Sequence, residues 1–192
     1  MQHTTTSQRF ATDRVSKLDG HRSVNHTVVV RLIEVMHKSS MYKPLEGKCQ
    51  CGDVQYRVTG TPITVFACHC TECQRQSSSA FGMALWVRNA EVEMMSGEMR
   101  HWIRTMPSGK KMQCSFCPTC GTRLLHTVLG QSEVISIKPG TLNDTAWLKP
   151  AGHIWKKSAQ PWIFENLTGL LYDENPESFA DLISAWTEFN HA

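Results

Sequence analysis

The chain has no uninterrupted apolar stretch near the roughly 20 residues that a membrane-spanning helix requires. Its first residues also lack the basic start, apolar centre and small-residue cleavage site of a secretory signal. A cytoplasmic protein is expected, with no membrane partner. Long Lys/Arg tracts are missing too. Lys110-Lys111 and Lys156-Lys157 are short basic stretches, whereas dense phosphate contact draws on a larger basic surface. Nucleic acid is therefore disfavoured as a partner. Residues 1–40 contain no cysteine and no recognisable motif.

Cysteine is what the chain does have. Eight are present in 192 residues, a length that suits one domain with a real core, or one domain plus an appendage. Secreted chains of such content would be read as disulfide frameworks. Here the spacing is too tight for long staples, and a reducing cytosol favours metal chelation. Cys68-His69-Cys70-Thr71-Glu72-Cys73 places three thiols in a C-x-C-x-x-C run. Two further pairs, Cys49-x-Cys51 and Cys117-Pro118-Thr119-Cys120, together make a set of four. A structural zinc takes four ligands, and a zinc that does chemistry keeps one position open. Ligand counting thus expects two zinc ions per chain, one closed and one held by three thiolates. Zinc binds thiolates, so seven ionised cysteines and two divalent ions bring the formal charge of +3 to about zero. Bulk charge points to no partner.

Residues 1–44 read as an N-terminal extension, either disordered or translated upstream of the true start, with Met36 and Met41 as alternative starts. Residues 45–170 read as a β domain. Val54, Tyr56 and Val58 alternate with polar residues before Gly60-Thr61-Pro62 breaks the run. Ile63 to Ala67 leads into the thiol cluster, and Phe81 to Val87 is apolar on both faces, as in a buried strand. Glu98–Arg104, Lys111–Phe116, Thr122–Val128 and Glu133–Lys138 continue at short spacing, so the core is expected to be all-β and antiparallel. Residues 171–192 should hold a helix docked on the sheet. Asn175 is placed as its N-cap and Pro176 at its first position, with Phe179, Leu182, Ile183, Trp186 and Phe189 on one face.

Some residues near the thiols carry two readings. Each cysteine pair alone would also suit a redox dithiol or buried free thiols; two pairs in one chain weaken that. His69 is a ligand by type, but flanking thiolates are better placed, and its ring is expected to turn outward. Cys114 precedes Cys117 by three. It reads as a free thiol on the strand before the Cys-x-x-Cys turn, though filling either metal site stays open. His153, Trp155, Lys156 and Trp162 form either a wall for a small anion or an aromatic edge with solvated lysines. Arg75 and Arg123 are the cations best placed to meet a carboxylate.

Three blocks carry a family resemblance: Gly47-Lys48-Cys49-Gln50-Cys51-Gly52-Asp53-Val54-Gln55-Tyr56, Cys68 to Gln74, and Phe116-Cys117-Pro118-Thr119-Cys120-Gly121-Thr122-Arg123-Leu124. Their ordered spacing resembles the glutathione-dependent formaldehyde-activating enzyme family, which includes centromere protein V. The resemblance spans about residues 45–162, with His153 and Pro161-Trp162 matching its closing segment. It implies a β-tent-like zinc-binding domain. Cys49, Cys51, Cys117 and Cys120 match the structural zinc ligands, and Cys68, Cys70 and Cys73 match those of the zinc linked to activity. It further implies carbon–sulfur lyase chemistry on a small thiol such as glutathione and a small aldehyde, formaldehyde in the named reaction. The alternative is a non-catalytic zinc module that binds a macromolecule, with Cys114 or His69 as its last ligand. The motifs assign no general acid or base and no oligomeric state.

Overall fold

A computed structural model describes residues 43–191. The expectations for residues 1–42, including both alternative starts, lie outside that range. Among the described residues, no helix is long and apolar enough to cross a membrane.

Eleven strands form two sheets. The smaller sheet has the order β1-β2-β5, from Leu45–Lys48, Gln55–Val58 and Val92–Ser96. The larger has the order β11-β10-β3-β4-β9-β8-β7-β6. Its strands are β3 (Thr64–Cys68), β4 (Gly82–Arg88), β6 (Arg100–Thr105), β7 (Lys111–Phe116), β8 (Arg123–Val128), β9 (Gln131–Ile137), β10 (Gly152–Ile154) and β11 (Leu170–Leu171). Among the described residues two α-helices join the sheets: α1 (Thr71–Ser77) and α2 (Ala180–His191). The domain is therefore mostly β, as its spacing and resemblance imply. It is mixed rather than wholly antiparallel, because β10 runs parallel to both β3 and β11.

Register sorts the larger sheet into two faces, since residues directly opposite in a sheet share a face. Val65, Leu85, Ile137, Leu125 and Ser115 pair successively across β3, β4, β9, β8 and β7. All five are buried. Together with Val54, Tyr56 and Val58 from around β2, the apolar members of this row form the main core. The opposite face carries the row Thr64, Trp86, Ser136, His126, Cys114 and Trp102.

Helix α2 covers the β3–β4 part of this second face. The Thr64 hydroxyl donates to the Leu182 carbonyl at 2.9 Å, and Phe179 packs on Phe66 and Trp86. Leu182, Ile183 and Trp186 are buried as the apolar period predicts, while Phe189 remains exposed. The expected helix start is wrong. The helix begins at Ala180, whose N–H donates to Ser178 Oγ at 3.2 Å. Asn175 instead accepts from the Trp155 indole N–H at 2.9 Å, which engages its side chain away from a capping role.

Candidate metal centres

The two cysteine pairs occupy matching turns. Cys49 follows β1, its N–H bonds to the Val54 carbonyl, and Gly52 N–H returns to the Cys49 carbonyl. Cys117 follows β7, its N–H bonds to the Thr122 carbonyl, and Gly121 N–H returns to Cys117. Gly52 and Gly121 have φ of 86° and 73°, the left-handed region where a Cβ is disfavoured. This local logic aims both sulfurs of each turn towards one point. Thr122 ties the turns together: its hydroxyl accepts from Gln50 N–H and lies 3.1 Å from Cys120 Sγ.

The ligand atoms of Cys49, Cys51, Cys117 and Cys120 all lie within 4.8 Å of one another. Sulfurs at tetrahedral corners about 2.3 Å from a zinc would be about 3.8 Å apart. Here Cys49–Cys51 is 3.4 Å and Cys51–Cys117 is 3.7 Å. The donor set fits a divalent metal that favours sulfur. Val54 N–H also points at Cys49 Sγ at 3.3 Å, a hydrogen bond that favours thiolate over thiol. The hydroxyl of Thr122, helped by its N–H, holds the Cys120 thiol down at about 5.

The second centre is more local. Cys68 ends β3 and is buried, Cys70 caps α1, and Cys73 lies in its first turn. Cys70 Sγ accepts from Cys73 N–H at 3.4 Å. The three ligand atoms lie within 4.8 Å of one another. Gly82, opposite Cys68 in β4, leaves room here: a Cβ there would stand 3.3 Å from Cys73 Cβ. Gln74 fixes the segment by donating to the His69 and Ser158 carbonyls at 2.7 and 2.8 Å.

Charge is shared unevenly among these sulfurs. Hydrogen bonds with Cys68 and then Cys73 hold Cys70 down at about 2, while those with Cys70 and Cys73, followed by burial, push Cys68 up. One negative charge is accommodated and further ionisation is opposed. A bound cation relieves that opposition. Lys138 is a near neighbour; burial lowers its pKa, and the charges of Cys73 and Cys68 work against that.

His69 is not where the sequence reading put it. Its ring is fully buried, with Nε2 at 3.0 Å from His153 Nδ1, and it joins neither cysteine group. The reason is β10, which pairs His153 with Ala67 and accepts His69 N–H on the Ile154 carbonyl. Burial lowers the pKa of both rings, which favours their neutral forms. Cys114 is fully buried on β7 and also joins neither group. Lys156 pairs with Asp173 at 3.0 Å and Lys157 with Glu174. The aromatic segment is thus an edge with neutralised lysines rather than a cationic wall. Arg75 points into solvent and pairs with Glu72, whereas Arg123 lies over Trp102 on the second face. Lys138, Arg104 and His126 escaped sequence reading because only strand register brings them beside the thiols.

Residues 44–158, more than half of the chain, match the family model described as glutathione-dependent formaldehyde-activating enzyme. No curated protein gives a match. A crystal structure of a Rhodobacter sphaeroides protein from structural genomics is similar at 17% identity, covering 66% of this chain and 98% of that one, with a TM-score of 0.43. With both cysteine sets assembled inside the matched region, the chain belongs to the glutathione-dependent formaldehyde-activating enzyme family.

Proposed function

We propose that the protein is a zinc-dependent carbon–sulfur lyase that forms or cleaves the adduct of a small thiol and a small aldehyde, with S-(hydroxymethyl)glutathione as the reference substrate. The observation that carries this reading is the unequal donor count. Four thiols converge at one centre and three at the other, and among the described residues no further His, Cys, Asp or Glu joins the three. Cys49, Cys51, Cys117 and Cys120 would hold a structural zinc; Cys68, Cys70 and Cys73 would hold the second. Zinc in that three-thiolate setting supplies the positive charge that keeps an incoming thiol ionised near neutral pH.

The chain's own groups position the reaction. Cys68, Cys70 and Cys73 set one side of the centre, and the half-buried Lys138 amine lies in their field. In the forward direction the substrate sulfur adds its electron pair to the aldehyde carbon, the carbonyl π pair moves to oxygen, and that oxygen takes a proton. In reverse the hydroxyl proton leaves, an oxygen electron pair re-forms the carbonyl, and the carbon–sulfur bond breaks with its electron pair leaving on the thiolate sulfur. The rival reading as a closed, non-catalytic module needs a fourth protein ligand, and neither His69 nor Cys114 is in the three-thiol group.

Exchange spectroscopy tests the proposal directly. Zinc-loaded protein should accelerate interconversion of hydrated formaldehyde plus glutathione with their hydroxymethyl adduct, and Cys70→Ser should abolish the acceleration. An exchange rate equal to that of the protein-free mixture would sink it.

A further inference from the structure

On the second face of the large sheet, next to the three thiols, basic groups accumulate with few acids to meet them. Arg104 on β6 lies opposite Met112, two residues from Cys114. Arg123 on β8 lies opposite Phe116, two residues from Cys114 on the other side. His126 lies directly opposite Cys114. Alternation along β7 puts Arg104 and His126 on one face, and past the register shift at Ser115–Phe116 the Arg123 guanidinium lies on it too, over the Trp102 ring. Lys138 lies two residues after Ser136, which pairs with His126. Helix α1 reaches the same region, with Glu72 at 3.8 Å from Arg104.

These side chains bury polar atoms, most of them donors, that nothing among the described residues satisfies. Arg104 Nε, Arg123 Nη1, His126 Nε2 and both polar atoms of the Gln76 side chain have no hydrogen-bond partner among the described residues. His126 is only 5% exposed. Arg123 makes no ion pair among the described residues, and its guanidinium lies 6.0 Å over the Trp102 ring. The Arg104 carbons and charge are also withdrawn from water, the side chain being 13% exposed. Buried guanidinium N–H groups without acceptors are costly to keep. A carboxylate answers the donors of the set, because it accepts from several at once and carries the charge that Arg123 lacks and that Arg104 meets only in Glu72 at 3.8 Å.

We infer that Arg104, Arg123 and His126 form the carboxylate subsite of the enzyme, so that its substrates are anionic thiols whose sulfur reaches the three-cysteine centre while a carboxylate is held across the sheet face. Recognition of the carboxylate rests on the proposed function; occupancy of the subsite by an anion does not. Arginine supplies the charge-assisted hydrogen bonds. The His126 ring donates from Nε2. Glu72 holds Arg104 and limits how far that side chain turns towards the thiols.

The test uses zinc-loaded, full-length protein and two sets of probes. Linear mercapto-acids of two to six carbons are titrated by calorimetry beside mercapto-alcohols of equal length. At the length that spans the site, the acid should bind about tenfold more tightly than the alcohol, the worth of one charge-assisted contact. Arg123→Gln should remove that advantage and leave alcohol affinity unchanged, with Arg123→Lys restoring part of it. Arg104→Gln provides a second variant should Arg123→Gln disturb the neighbouring Cys120 turn. Equal affinities of acid and alcohol at every length would overturn the inference, as would a loss shared equally by both. Propionate, which has no thiol, separates the two readings. It should shift the His126 ring resonances in the wild type and not in Arg123→Gln. If propionate does so while no thiol binds, the lyase reading falls and the anion site stands. If propionate leaves His126 unmoved, the anion site itself is refuted.

Discussion

His126 shows how one residue reports on its surroundings. Burial first, and then the charges of Lys138, Arg123 and Arg104, hold its pKa down at about 2. The unfolded ring takes up a proton near the ordinary histidine value of 6.5, and the folded ring stays neutral far below that. Its contribution to stability is therefore complete above pH 6.5 and drains away as pH falls towards the folded value. Nitrogen chemical shifts of the ring at pH 5, in protein free of carboxylate buffers, should be those of a neutral imidazole. A protonated spectrum there would contradict the burial and charge argument. Cys114, across the strand pair from His126, offers a second residue-scale test. Since it joins neither thiol group, Cys114→Ser should leave the zinc count at two by elemental analysis. A drop to one zinc would make Cys114 a ligand and favour the closed-module reading. The thiols themselves were legible because chelating residues within one turn must be close in sequence. Arg104 and Lys138 were not, since no local spacing marks them.

Elements were legible in proportion to how local their cause is. Strands β2, β3, β4, β7 and β8 coincide closely with the alternating or apolar runs that predicted them. The three-residue β10 and two-residue β11 are too short for any periodicity, and they form by adding parallel to a strand far away in sequence. Helix α1 was hidden because its segment reads first as a metal motif; Cys70 serves as both its cap and a thiol donor. For α2 the apolar face is legible in the sequence and the start is not, because Asn175 is engaged by Trp155. The face is where the helix gets its stability. Leu182 is fully buried in the main core, with Gly152 so close that an added Cβ there would meet it. Leu182→Ala should therefore cost about 2–4 kcal/mol from lost burial and a residual cavity. Chemical denaturation of the zinc-loaded protein measures this, and both zinc ions should remain. A cost below about 1 kcal/mol would mean that α2 rests on the sheet without anchoring it.

At the scale of the whole molecule, the two thiol sets do different mechanical jobs. Cys49 and Cys51 belong to the turn between β1 and β2, in the small sheet, while Cys117 and Cys120 belong to the turn between β7 and β8, in the large one. A metal there closes a loop of more than 60 residues and pins one sheet to the other, the Cys51–Cys117 contact joining positions 66 apart. Cys68, Cys70 and Cys73 span six residues at one strand end and tie nothing distant. Metal affinity at the first centre would therefore be folding free energy, on the order of several kcal/mol, whereas at the second it would be mostly local. Cys117→Ser should lose cooperative unfolding or lower its midpoint sharply. Cys70→Ser should keep the fold and lose one zinc. During mild chelation, native mass spectrometry should show a folded one-zinc species before any unfolding. Simultaneous loss of both ions, or equal destabilisation by the two substitutions, would mean that the centres share one structural role. The division would then fail where it matters most, because a three-thiolate centre can exchange its fourth ligand without unfolding only if the other centre holds the sheets together.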